Sequence, residues 1–206
     1  YCIMASYTSK ELSVMNARAF IESLSHDDGR VAKESNIIYA VLGRQLPFTQ
    51  EPVTEAAIET DKNKQRELWK QAIGGKKITT GDVSHVVPRH DWTSGRVYAQ
   101  YRDTDTNLFS RDFYVITDEN NVYKCLYNNK GATSTVKPAD FSTLPFTLAD
   151  GYTWKYMYTI SLGDADKFLT TSHMPVKTLS TTDGSVEGDR QVAVQNASVN
   201  GSIEII

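Results

Sequence analysis

The sequence predicts a mainly β chain with peripheral α-helices, α+β in class. Three observations lead there. Short runs rich in β-branched and aromatic residues, separated by turn signals, fill the chain from residue 96 onward. Helical periodicity is confined to the first 73 residues and a short stretch near Gly163. The stretch Asp150–Ile160 alternates so regularly that Tyr152, Trp154, Tyr156, Tyr158 and Ile160 fall on one side of a strand, because successive side chains point to opposite faces. Such an aromatic face must be covered, by the domain itself or by a partner.

The elements follow in order. Thr8-Ser9-Lys10-Glu11 fits a capping box, and Leu12, Met15, Ala19, Phe20 and Leu24 recur at helical spacing, so residues 9–25 are expected to be helical. Ile37–Leu42 is a continuous apolar run, expected as a strand buried on both faces. Residues 54–73, with Leu68, Trp69, Ala72 and Ile73 on one face, predict a second helix stopped by Gly74-Gly75. Strands are expected over Arg96–Tyr101, Asp112–Thr117, Asn121–Tyr127, Tyr152–Ile160, Gln191–Gln195 and Ser202–Ile206. Asp118–Asn121 supplies a hairpin turn, and Gly163–Leu169 a turn or two of helix. Residues 129–148 read as a long exposed loop and 178–190 as a flexible connector. The expected organisation is an N-terminal helical segment over 1–35, a β-rich core over 36–178, and a connector with terminal strands over 179–206.

Composition sets the outer bounds. With 206 residues, 40% apolar and 23% charged, the chain suits a soluble globular protein. A net charge of −3 provides no basic field, so no nucleic-acid partner is expected, and no apolar run suggests a membrane span. Cys2 and Cys125 are the only cysteines, a usage that suits a reducing compartment. Tyr1-Cys2-Ile3 precedes Met4-Ala5-Ser6, which looks like a natural start, and Ser202–Ile206 reads as a strand cut off in mid-sheet. Both ends raise the expectation of a piece of a longer polypeptide with an incomplete fold.

The polar constellations point away from chemistry. His85 and His90, with Asp91, are separated by Pro88 and do not share a helical face, so no metal site is expected. Asp103-Thr104-Asp105-Thr106-Asn107 starts like a calcium loop, but its sixth position is Leu108 and its twelfth Tyr114. Gly74–Thr80 lacks the first glycine and the hydroxyl residue of a phosphate loop. No nucleophile, base and carboxylate form a recognisable set, so neither catalysis nor a cofactor is expected.

Val86-Val87-Pro88-Arg89-His90-Asp91-Trp92 is unusual for a loop: Pro88 stiffens the backbone, Arg89 and Asp91 can pair, and Trp92 can anchor the segment. It resembles the Val/Ile-Pro-Arg-x-Asp-Trp signature of the T-even-type phage baseplate wedge subunit, the gene-eight product family. Leu68-Trp69 with Ile73-Gly74, Val122-Tyr123-Lys124-Cys125-Leu126, and Asp150-Gly151-Tyr152 with Trp154 and Tyr156 are similar to further family motifs, in the same order. Ile37–Arg44 is similar to an earlier element, and the run after Trp92 looks closest to cyanophage versions. The resemblance spans about residues 36–178 and leaves 179–206 unmatched, so the chain would be an N-terminal portion of that longer protein.

It implies a β-sandwich-like core with inserted helices, incomplete if the chain is truncated, in a structural component of a contractile-tail baseplate, located in the virion, homodimeric and in contact with neighbouring wedge proteins. Pro88, Arg89, Asp91 and Trp92 would form a structural corner, and Tyr152, Trp154, Tyr156 and Tyr158 core or interface aromatics. A carbohydrate-binding β-sandwich of a tail adhesin is the alternative, since open Tyr and Trp rings can stack on sugars.

Overall fold

The computed structural model describes residues 10–24, 38–43, 72–105, 108–176, 179 and 181–197, and they form an α+β fold of small antiparallel sheets with helices. The chain divides into two compact units, Tyr1–Val83 and Ser84–Ile206.

In the first unit, α1 spans Lys10–Leu24, where helical spacing predicts it. β1 (Tyr39–Gly43) and β2 (Ala72–Lys77) form an antiparallel ribbon. Two expectations fail here. The run ending at Leu42 is a strand but not a buried one: Leu42 is exposed opposite Gly74, which has no side chain to cover it, and Tyr39 is exposed opposite Lys77. Ala72 and Ile73 do not end a helix; they open β2, and the rest of the expected 54–73 helix lies outside the described residues, as do the capping box and the Ser202–Ile206 strand. A 3-10 turn at Thr80–Asp82 closes the unit, with Lys76 paired to Asp82.

The second unit is built on a four-stranded sheet in the order β4-β5-β7-β6: β4 Tyr114–Ile116, β5 Asn121–Asn128, β6 Phe146–Thr147 and β7 Tyr152–Thr159. β3 (His85–Pro88) and β8 (His173–Val176) pair as a separate ribbon. α2 (Leu162–Phe168) is capped by Ser161, whose hydroxyl accepts from the Asp164 N–H at 3.2 Å. The β4–β5 hairpin turns through Asn120 at φ 62°.

The central strand departs from simple alternation. Tyr158 pairs with Val122 but Tyr156 pairs with Tyr123, so Met157 is an extra residue on β7, a β-bulge. Because Val122 and Tyr123 are consecutive in β5, Tyr156 and Tyr158 lie on opposite faces. The aromatic stripe is therefore two stripes. Tyr152, Trp154 and Tyr156 join Tyr98, Val115, Tyr123, Cys125 and Val194 in one core. Tyr158 and Ile160 join Ile116, Val122, Met157 and Met174 in the other. The β3–β8 ribbon covers the second core through Val87 and Met174, assisted by Ala165 and Leu169. The ribbon and the four-stranded sheet remain separate small antiparallel sheets.

A helix covers the first core where a strand is expected. α3 spans Val186–Ala197 and includes Gln191–Gln195 and the end of the supposed connector. Gly188, Gln191 and Val194 make its buried face, a three-residue spacing that alternation does not detect. Ser185 starts it, its hydroxyl accepting from the Gly188 N–H at 2.9 Å, with Glu187 and Asp189 in the favourable first turn. Arg190 rests over the Phe141 ring at 4.2 Å, and Phe141 packs edge-on against Tyr156. Arg96–Tyr101 is likewise not a strand; only Arg96 bridges, to Ser134, while Tyr98 is fully buried. Nor is 129–148 simply an exposed loop, since it carries β6 and buries Ser134 and Pro138.

The Tyr158 hydroxyl donates to the Pro175 carbonyl at 3.0 Å in a buried setting. Tyr158→Phe should therefore destabilise the protein by about 1–2 kcal/mol, through a lost bond and an orphaned carbonyl. Urea unfolding measures this; an unchanged midpoint would mean that Tyr158 does not point into the β8 side.

Candidate functional site

Pro88 ends β3, and its carbonyl accepts from the Tyr114 hydroxyl at 2.9 Å. The Arg89 N–H then donates to the Ser172 carbonyl at 2.9 Å, holding the chain beside the turn before β8. The Arg89 side chain donates from Nε to Asp91 Oδ1 at 2.7 Å and from a terminal nitrogen to the Thr170 carbonyl at 3.1 Å. Asp91 is 57% exposed, so the ion pair is worth only about 0–1 kcal/mol, and its use is to set the bend. Two backbone bonds lock the corner to β4: Ile116 N–H to the His90 carbonyl at 2.8 Å, and Trp92 N–H to the Ile116 carbonyl at 2.9 Å.

From this corner two polar links run into the Asp150-Gly151-Tyr152 turn. In the first, Trp92 Nε1 donates to Ser134 Oγ at 3.2 Å, and Ser134 Oγ donates to Asp150 Oδ2 at 3.2 Å. Asp150 Oδ2 also accepts from the N–H groups of Thr135 and Val136 at 2.9 and 3.0 Å, and Oδ1 from Tyr152 N–H at 3.1 Å. In the second, the Tyr98 hydroxyl accepts from Thr93 N–H at 2.6 Å and contacts the Asp91 carbonyl at 3.2 Å. The Tyr98 N–H donates to the Tyr152 hydroxyl at 3.3 Å, which donates in turn to the Ala132 carbonyl at 2.5 Å. The four corner residues thus belong to one framework with Tyr152, Trp154 and Tyr156, but not with Tyr158, and in it Trp92 is half-buried against the first core. Ser134, Tyr98 and the carboxylate role of Asp150 are not legible from local motifs, since each depends on partners distant in sequence.

The aromatic residues separate by environment. Tyr152, Trp154 and Tyr156 are fully buried, with Tyr152 and Trp154 stacked at 5.6 Å and Tyr98 edge-on to Trp154 at 5.8 Å. Tyr156 bonds to Thr159 Oγ1 at 2.7 Å, and Thr159 donates to Asn121 Oδ1 at 2.6 Å. Trp154 Nε1 and the Tyr123 hydroxyl have no hydrogen-bond partner among the described residues.

The titratable groups lean towards structure. Burial alone pushes the Tyr114 phenol up to about 12. Burial also lifts the Cys125 thiol to about 12, against a weak bond to the Tyr127 carbonyl, so it is not a ready nucleophile. Burial holds the His90 imidazole below its ordinary value, outweighing Asp112. For Asp150, burial pushes up, but the Val136, Thr135 and Tyr152 N–H groups and the Ser134 hydroxyl together bring its carboxyl below the usual range. Among the described residues no three His, Cys, Asp or Glu side chains gather to hold a metal. Asp105 pairs with Arg111, while Thr106 and Asn107 lie outside the described residues. No described helix is long and apolar enough to cross a membrane.

Ser134→Ala removes the acceptor for Trp92 and one donor to Asp150, and should cost about 1–3 kcal/mol in chemical denaturation. Trp92→Ala should cost about 2–3 kcal/mol, below a fully buried tryptophan because the ring is only half covered. Because the folded pKa of Asp150 is depressed, its stabilisation is complete above about pH 4, the unfolded value, and is lost as pH falls through the folded value. Asp150→Asn should therefore lower stability at pH 7 and flatten the decline below pH 4, measured by melting temperature against pH.

No protein-family model matches the chain, and no curated protein is significantly similar to it.

Proposed function

We propose that this chain is a structural component of a contractile-tail phage baseplate, related to the N-terminal portion of the gene-eight wedge subunit. The reading rests on the ordered motifs at Pro88–Trp92, Val122–Leu126 and Asp150–Tyr156. One observation carries it towards structure rather than catalysis: the signature residues are spent on a scaffold. Arg89 and Asp91 bond to each other, and Trp92 reaches Asp150 through Ser134. In this reading the chain forms a homodimer and joins neighbouring wedge proteins in the virion. It acts by holding a defined geometry that gives way when the baseplate changes state, without a cofactor.

The carbohydrate-binding alternative needs open rings, and Tyr152, Trp154 and Tyr156 are fully buried, leaving none of the three to stack on a sugar.

Mass spectrometry of purified particles should find this polypeptide among tail components, and light scattering of the isolated protein should report a dimer. Absence from particles, together with a monomer that binds no other baseplate protein, would overturn the proposal.

A further inference from the structure

One half-buried amine in the four-stranded sheet stands outside the polar framework. Lys124 lies in the middle of β5, directly opposite Tyr114 on β4 and Lys155 on β7. Among the described residues no carboxylate forms an ion pair with it. A lysine taken partly out of water normally finds a counter-ion, so its surroundings are unusual. They are aromatic instead. Lys124 Nζ lies 3.2 Å from the centroid of the Tyr101 ring, Tyr101 packs on Phe113 at 5.2 Å, and Phe113 on Tyr114 at 5.1 Å.

Opposing influences meet at this nitrogen. The Tyr101 ring attracts the ammonium form and holds the group in place. Burial first, and then the charge of Lys155, favour the neutral amine and bring Lys124 to about 8. The Lys155 contribution needs only its place across the strand pair and is the smaller of the two. Tyr114, its phenol lifted by burial to about 12, stays uncharged at neutral pH and offers no counter-ion. A lysine desolvated among apolar groups, or set beside a second cation, is activated as a nucleophile because its lone pair is freed near neutral pH. Lys124 meets both conditions.

We infer that Lys124 is a modification site, its amine placed to take an acyl group from a small acyl phosphate. The Nζ lone pair attacks the acyl carbon. The bond from that carbon to the phosphate oxygen breaks, its electron pair leaving on phosphate, and the amine proton passes to water. The product is an uncharged amide, so Lys124 no longer meets Lys155 as a like charge across the strand pair. The donor has to be small, because the side chain is only partly open to solvent.

The folded full chain is incubated with acetyl phosphate over a range of pH, and acetylation at each lysine is followed by peptide mass spectrometry. At about pH 7.5 Lys124 should acquire the acetyl group about tenfold faster than the exposed Lys130. Its rate should level off at about pH 8. In the chain unfolded by guanidinium chloride, the rate at Lys124 should instead go on rising to about pH 10, as for a free lysine amine. Lys124 reacting no faster than Lys130 in the folded chain overturns the assignment. So does a rate at Lys124 that climbs to about pH 10 in the folded and unfolded chain alike.

Discussion

The second unit depends on the placement of one carboxylate. Asp150 precedes the central strand and gathers donors from Ser134, Thr135, Val136 and Tyr152. It fastens the start of the 129–148 segment, whose later residues Phe141, Phe146 and Leu148 pack against the same core. With it, Ser134 reaches the point where Trp92 Nε1 needs an acceptor, and the corner at Pro88–Trp92 becomes joined to the aromatic core. Gly151 makes the arrangement possible: it turns at φ 79°, and a Cβ there would come within 2.7 Å of the Asn129 amide. That amide donates to the Asp150 carbonyl at 3.1 Å, so the same turn is fastened from both sides.

Elements whose signal is local are legible in the sequence. The α1 helix, the β4–β5 hairpin and β7 follow from spacing and turn residues. The Arg89–Asp91 pair follows from two complementary charges separated by one residue in a stiffened segment. What escapes is set by partners far along the chain. The Met157 bulge has no mark in β7 itself and emerges only from the register with Val122 and Tyr123. The burial of Ser134 depends on Asp150 and Trp92, 16 and 42 residues away.

The misread elements have equally physical causes. Val192 and Val194 alternate as a strand would, but Ser185 as cap, with Glu187 and Asp189 after it, is the helix signal that competes with alternation. Leu42 looks like a core residue by type, yet it faces a glycine, and hydrophobicity without a covering side chain leaves it exposed. Tyr98 shows the converse: a segment with almost no ladder pairing contributes one of the most buried rings, because its hydroxyl and backbone are satisfied by Thr93, Asp91, Asn128 and Tyr152.

The extra residue at Met157 gives β7 a second role. A strand in strict alternation could present its rings to one core only, and loss of that cover would strip all of them together. The phase slip instead makes β7 a party wall between two rooms, one lined mainly by aromatic rings beneath α3 and one by mostly aliphatic side chains beneath β8. Each room has its own roof, α3 over one and β8 over the other, so neither core is packed through the other's cover.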